Sequence, residues 1–412
     1  MVDAVRDLVP MAALGVLLAV AYLHPPEWVE AAIGIGAAAA ALGTGRLDDG
    51  GLRTEVGRLL PVVLFLMAVL VVAECCRAAG MFSAIGTRLA SAGGRTFVLA
   101  FVVASVVTVV LSLDATVVLL TPVVLAAAAA TRVSARPLQL VCVRLANSAS
   151  LLLPVSNLTN LLALPRLDIG FGRFALLMAP VWVLTLVIEY AVHRVWFRTE
   201  LRVPGSGREG VSVVPLPRAP LVVVTAMLAG FGIGSMVGVE PAWVAGGAAI
   251  VLGTRAVFRG ELGTCRLLRS THASFALFVL GLGVVVATLG RGPLGDLLGD
   301  LVPSSDGVAA LMAVALLGAV TANLVNNLPA TLLLVPLVAP LGVVPALATL
   351  VGVNLGSSMT WSGSLANLLW RRTVLRSGGT VDSRDFHLVG LLATPVAIVG
   401  GVLLLDAWAQ LV

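Results

Sequence analysis

Two stretches of this 412-residue chain carry the same polar pattern at matching places. Residues 147–160 read NSASLLLPVSNLTN and residues 354–367 read NLGSSMTWSGSLAN. Each begins and ends with Asn, and both asparagines are displaced by 207 positions. Long apolar runs flank both stretches. In hydrocarbon, an amide or hydroxyl without a partner costs several kcal/mol, so polar clusters of this density must face each other, a cavity or a bound solute. The surrounding composition makes that hydrocarbon setting the expected one. Hydrophobic residues are 59% of the chain and charged ones 11%, against roughly a quarter charged in soluble domains. The chain reads as an all-α polytopic membrane protein, built as one integral unit of spans near 20 residues each.

The formal charge of +5 is carried by 26 Arg and no Lys, a bias that reflects base composition rather than nucleic-acid binding. The expected partner surface is the lipid bilayer, and the arginines serve as topology markers. Cys75, Cys76, Cys142 and Cys265 form no C-x-x-C pair and no zinc-like spacing, so no metal site is expected and Cys75 and Cys76 read as small apolar fillers. The first apolar run, Val9 to Leu23, lacks a small-residue cleavage pattern, so no cleavable signal is expected.

Taken in order, Val9 to Leu23 and Val29 to Leu42 read as scaffold helices, followed by a charged loop 45–58 and a span Leu59 to Ala73. From Thr96 to Ala130 the chain stays apolar for 35 residues except for Ser112 to Thr116. As one helix this would measure about 52 Å, too long for a hydrocarbon layer of about 30 Å. It therefore turns, either as two short crossings or as a re-entrant hairpin, and the polar tip favours the hairpin. The broken segment 138–163 and a span Phe174 to Val192 complete the half. An Arg-rich stretch 193–218 follows, and the same order of segments then recurs.

The expected organisation is two inverted-topology repeats, each with five crossings plus a re-entrant hairpin and a broken helix. Residues 1–200 form the first repeat, with scaffold helices 9–42 and a transport part 96–163. Residues 201–217 form a cytoplasmic linker. Residues 218–412 form the second repeat, with scaffold helices 221–252 and a transport part 307–370. Five is odd, so the second half enters upside down. On that arrangement 19 arginines fall on one side and 7 on the other, which places both termini outside the inner (plasma) membrane. Double crossings would instead make the halves parallel and weaken the Arg asymmetry.

Two hairpin tips meeting two broken helices is how inverted-repeat carriers build a site, because helix ends expose free N–H and C=O groups. Half-helix N-termini favour oxygen-rich or anionic solutes, and unwound carbonyls can hold a cation. The candidate solute contacts are Ser112, Thr116, Asn147, Ser148, Ser150, Ser156, Asn157, Asn160, Asn323, Asn326, Asn327, Thr331, Asn354, Ser357, Ser358, Thr360, Ser362, Ser364 and Asn367. The bland alternative is that such residues merely glue helices together. Asp114 is the only carboxylate inside so long an apolar run, which makes it the candidate proton carrier or a cap on the following half-helix. Its counterpart by motif is Pro329. Glu74 and Glu189 are expected near span ends, within reach of water. His24, His193, His272 and His387 are expected in loops or at span borders, which argues against a histidine relay. The Asn157-Leu158-Thr159 sequon is expected to be buried and unmodified. No catalytic, cofactor or nucleotide-binding motif is present, so energy must come from an ion gradient, the solute's own gradient or a separate ATPase subunit.

LDATVVLLTPVVL at 113–125, NSASLLLPVSNLTNLL at 147–162, NNLPATLLL at 326–334 and NLGSSMTWSGSLANLLW at 354–370 resemble signature stretches of the ArsB arsenite and antimonite permeases. These belong to the larger ion-transporter superfamily, which also holds dicarboxylate and sodium/proton carriers. The resemblance runs from residue 57 onward. It implies a secondary transporter exporting As(OH)3 and Sb(OH)3 in exchange for protons, sometimes with a cytoplasmic ATPase. It also implies elevator-like movement against a dimerising scaffold, hence a homodimer. A neutral hydroxide resembles a small polyol, so a cage of Asn, Ser and Thr suits it without thiolates. The sequence departs from the family at Leu113, where an Asn is usual, and at Thr360-Trp361-Ser362-Gly363, where Thr-Pro-Ile-Gly is usual, so Trp361 is expected to narrow or change the solute. A sodium-coupled anion carrier or sodium/proton antiporter of the same fold is the alternative. An intramembrane enzyme lacks a nucleophile and base pair here, and a non-transporting subunit leaves the duplicated polar interior unexplained.

Overall fold

A computed structural model describes residues 2–23, 25–202, 212–303 and 305–412. His24 and Arg208 lie outside the described residues, as does most of the expected linker. The described chain is all-helical. The first half runs α1 (Val2–Leu23), α2 (Glu27–Leu42), α3 (Asp49–Ala78), α4 (Met81–Ser91), α5 (Thr96–Leu111), α6 (Leu113–Ala115), α7 (Thr121–Thr131), α8 (Ala135–Ser148), α9 (Leu158–Leu167) and α10 (Phe171–Trp196). The second runs α11 (Arg218–Met236), α12 (Pro241–Phe258), α13 (Thr264–Arg269), α14 (Ala273–Leu289), α15 (Pro293–Leu301), α16 (Val308–Val325), α17 (Asn327–Val338), α18 (Val343–Gly356), α19 (Leu365–Arg376) and α20 (Ser383–Ala409). Much of the expected loop 45–58 is helical, because Asp48 caps α3 by accepting from the Gly51 amide.

The halves interlock. α2 packs chiefly on α14 and α12 on α3, so each scaffold pair lies against a long helix of the other half. A Cβ on Gly281 would collide with the Gly34 backbone, and one on Gly352 with the Ala315 backbone. Only glycine permits these approaches of α14 to α2 and of α18 to α16, the small-residue contact that membrane helices use when water cannot drive their association. The outer surface stays apolar: Val98, Val102 and Val106 form an exposed stripe at every fourth residue of α5.

Polar contacts at the helix ends sort into two groups that share no residue. One joins Glu74 to Arg77 and Arg266, Arg88 to the Val214 carbonyl, Arg136 to Glu200, Asp382 and Asp385, and Gln139 to the Thr380 carbonyl. The other joins Arg46 to Asp7 and to the Arg291 carbonyl, Arg166 to Glu55, the Phe171 amide to Ser235 and Arg173 to the Val412 carbonyl. The first group gathers at the end that the sequence reading makes Arg-rich, and Asp7 and Val412 belong to the second group.

Ten described helices are long and apolar enough to cross a membrane. This set includes the arms 93–111, 113–131 and 308–325, and omits the 16-residue α2 and the segments broken at 149–157 and 357–364. Length alone therefore does not separate hairpin arms from crossings. Both hairpins reverse at a non-glycine residue in an unusual conformation, Ser112 at φ 88° and ψ 166° and Asn326 at φ 74° and ψ 156°. That region is nearly glycine-only and costs roughly 1–3 kcal/mol per residue.

Candidate functional site

The two Asn-bounded stretches come together, and they do so crosswise. The Asn147 amide donates to the Asn367 carbonyl oxygen at 2.8 Å, and the Asn354 amide donates to that of Asn160 at 2.8 Å. The first asparagine of each interruption thus holds the last asparagine of the other. Within each loop the pattern also repeats. Asn160 donates to the carbonyls of Ser150 and Leu153, and Asn367 to those of Ser357 and Thr360. Ser150 and Ser357 each donate to the carbonyl of the opening Asn. Asn157 and Ser364 each cap the second half-helix, accepting from the amides of Thr159 and Ala366. All four bounding asparagines are fully buried. In this closed arrangement the amides satisfy one another and the broken-helix carbonyls, as buried polar groups must.

The symmetry has limits. The Asn354 side-chain oxygen also accepts from Asn157 at 3.2 Å and from Thr159 at 2.6 Å, whereas the Asn147 side-chain oxygen is buried without a partner. Ser112 and Ser358 hydroxyls are likewise buried and unpartnered. These three groups are left with unmet hydrogen bonds.

Each hairpin tip is pinned to the interruption of its own half. Ser156 donates to the Val109 carbonyl at 2.8 Å. In the second half the Asn327 amide donates to the Gly363 carbonyl, Asn326 donates to that of Ser362, and Asn323 accepts from Thr360 at 2.7 Å. Thr116 meets Thr108 inside the first hairpin, and Thr331 donates to the Asn327 carbonyl. Ser148 donates only to the Arg144 carbonyl in its own helix, and Ser362 is exposed. The tips themselves align Ser112 with Asn326, which sets Asp114 opposite Leu328, one residue from Pro329. Asp114 is partly buried and takes no hydrogen bond from a described residue. A π-helical stretch, Thr116–Leu120, follows it directly and has no equivalent in α17. Such bulges often accompany functional positions.

Two expectations are corrected by the interior. Glu189 is 1% exposed and not within reach of water, because Arg144 clamps it with bonds of 2.5 and 3.2 Å. Arg144, one of the 19 arginines counted above on a single side as a residue of loop 131–144, instead lies inside α8 with a side chain 2% exposed. His193 lies in the last turn of α10, at a span border as expected, but fully buried, its Nδ1 at 2.7 Å from the Glu189 carbonyl. A lone acid inside an apolar run was the available signal for this pair, since such a group needs a buried cation. Glu74 sits at the Arg-rich end between Arg77 and Arg266, His272 there bonds Glu27, and His387 bonds the Met359 carbonyl. Trp361 stacks on Phe386 with ring centres 3.8 Å apart. Cys75, Cys76 and Cys142 are buried, and the Asn157 sequon is 2% exposed.

A cavity of about 530 Å³ opens beside this core, between α3, α9 and the start of α12. Its wall includes Val62, Phe65, Leu161 and Leu164, with Arg58, Asp168 and Glu240 among the polar groups. It touches the outer side of α9 rather than the asparagines.

Clasped half-helices, strained hairpin tips and a lipid-facing exterior define a multi-span membrane transporter. The chain belongs to the CitMHS family of citrate transporters, whose model matches residues 6–349, and so to the secondary transporters of the ion-transporter superfamily. Arsenical pump membrane proteins of Escherichia coli K12 and Shigella flexneri are each 27% identical over 271 residues, covering 62% of this chain and 63% of theirs. That of Yersinia enterocolitica is 26% identical over 275 residues. The match therefore spans less than two thirds of those relatives. In fold, the chain is similar to the YdaH transporter of Alcanivorax borkumensis, whose crystal structure is described as having an unusual topology. The TM-score is 0.54 at 18% identity, over 89% of this chain and 90% of that one.

Proposed function

We propose that the protein exports trivalent arsenic and antimony as As(OH)3 and Sb(OH)3, by proton antiport with elevator-like alternating access. The observation that carries this reading is the crosswise asparagine clasp with its orphan hydroxyl and amide groups. It offers donors and acceptors to a small neutral hydroxide, no charge to an anion, and no thiolate. The arsenical pump relatives support the same solute class.

In this reading the two halves are oppositely inserted, each with five crossings. The grouping of polar contacts supports it: Asp7 of α1 belongs to the second group, whereas Val214, just before α11, belongs to the first. The Arg-rich end faces the cytoplasm and both termini face outward. Asp114, free of hydrogen bonds at a hairpin tip, is the coupling acid, and the scaffold α1, α2, α11 and α12 supplies the surface for a homodimer. A cytoplasmic ATPase subunit would dock at the Arg-rich end.

Metalloid accumulation in cells lacking their own efflux system tests the reading. Cells expressing the protein should hold several-fold less arsenite than controls, and Asp114→Asn should return them to the control level. Unchanged content with the intact protein removes the solute assignment, and wild-type efflux in the variant removes the coupling role. The family's name favours a second reading, an anion carrier for citrate-like carboxylates. Sodium- or proton-dependent citrate uptake with no arsenite efflux would select it.

A further inference from the structure

The Arg144–Glu189–His193 cluster is a buried charged group, among the described residues, that the site above does not use. It is asymmetric: the positions 207 residues on from Arg144 and Glu189 are Val351 and Val396. The histidine's protonation state follows from geometry. Its Nδ1 lies 2.7 Å from the Glu189 carbonyl oxygen, which can only accept, so Nδ1 carries the hydrogen. Nε2 then presents a lone pair, and it is buried without a partner. On the other side of the cluster, Arg144 donates to the Ser358 carbonyl at 3.0 Å and to the Thr394 hydroxyl at 3.1 Å, reaching across to the second interruption.

We propose that this cluster is a second proton-binding site, distinct from Asp114, that takes a proton at His193 Nε2 and acts on the second interruption through Arg144. The added proton converts the imidazole to imidazolium with no other bond made or broken. Three features favour the cation. Glu189 Oε2 lies 3.7 Å from Nδ1, His193 is in the last turn of α10 where the helix dipole welcomes positive charge, and the ring lies between tilted Phe97 and Phe197 rings with centres 6.4 and 6.1 Å away. Once charged, the imidazolium competes with Arg144 for Glu189, loosening the guanidinium that holds the Ser358 carbonyl.

The groups facing His193 are Glu189 and Tyr190 on its own helix, Arg144 from α8 and Phe97 from α5, while α20 gives Thr394 to Arg144. Near the same end of α10, Trp196 donates to Asp385, which also binds Arg136. The consequence for transport rests on the carrier reading, but proton binding does not.

Nitrogen-15 NMR of the full chain, with His24, His272 and His387 replaced by Gln so that His193 alone reports, reads the site without any solute. At high pH the ring should be the Nδ1–H form, and Nε2 should gain a proton as the pH falls, while the chain is still folded. The Trp361 indole signal, assigned by Trp361→Phe and two residues past Met359, should move with the same midpoint. Glu189→Gln should lower that midpoint by about one unit or more. If Glu189→Gln does not fold, the His193 and Trp361 midpoints decide alone. A ring that stays singly protonated until the chain unfolds, or a Trp361 signal that ignores the His193 titration, would overturn the proposal. Arsenite efflux that fails while His193 titrates as described would instead sink only the solute assignment.

Discussion

The two interruptions are held shut by the same bonds and tied to the rest of the molecule by different ones. At the first, Trp182 donates to the Ala149 carbonyl at 3.0 Å, a neutral tether. At the second, a charged guanidinium holds the Ser358 carbonyl and answers to a buried carboxylate and histidine. The hairpin tips differ in the same sense: both are strained, but a carboxylate follows only the first. The repeated polar pattern supplies the clasp, and the departures from that pattern supply the buried charge; in the proposed carrier the first would hold the solute and the second would couple it to a gradient.

The largest expected effect breaks the clasp at its most connected member. Asn354→Leu strands partners at Asn157, Thr159 and Asn160, and at about 1–3 kcal/mol for each buried group left unsatisfied it should destabilise by roughly 3 kcal/mol or more. Asn147→Leu, at the matching position, strands Asn367 and a helix carbonyl and relieves one orphan oxygen, so it should cost clearly less. Thermal unfolding of the purified variants in one detergent reads the difference. Equal losses would mean that the asymmetry in bonding carries no energy.

Next in size, Asp114→Asn should lower proton-driven efflux at least tenfold while leaving the unfolding temperature near the wild-type value, because the carboxylate takes no hydrogen bond that folding needs. A matched fall in stability would mark Asp114 as a structural cap instead. Smaller again, Ser112→Gly should stabilise by about 0.5–1 kcal/mol by removing a strained side chain at positive φ. Asn326→Gly should gain less, since it also loses the bond from the Leu328 amide to its side chain. The smallest effect is expected from replacing Cys75, Cys76, Cys142 and Cys265 with Ala: efflux should stay within about twofold, since removing small apolar fillers costs little. Abolished efflux would restore thiolate ligation.

The frame was legible in the sequence because repetition writes itself as spacing: identical Asn-to-Asn separations announced two equivalent loops before any fold was known. Crosswise pairing was not legible, since it depends on how the halves interlock through α2 on α14 and α12 on α3. The buried charges were misread for a different reason. Hydropathy places the ends of spans loosely, so Arg144, at the far end of an Arg-flanked stretch, looked like a loop residue although α8 begins at Ala135. The contacts of Trp361 with Phe386 and Trp370 were not legible either, because the sequence shows only neighbours along the chain.

Flux from proteoliposomes carrying only the purified chain tests the central claim most directly. Vesicles loaded with arsenite are exposed to a pH gradient, acidic outside, with sodium absent. Proton-driven passage of a neutral hydroxide predicts efflux that accelerates with the gradient, collapses with a protonophore and vanishes in Asp114→Asn. Efflux indifferent to the gradient, or gradient-driven movement of citrate with arsenite left inside, would contradict it.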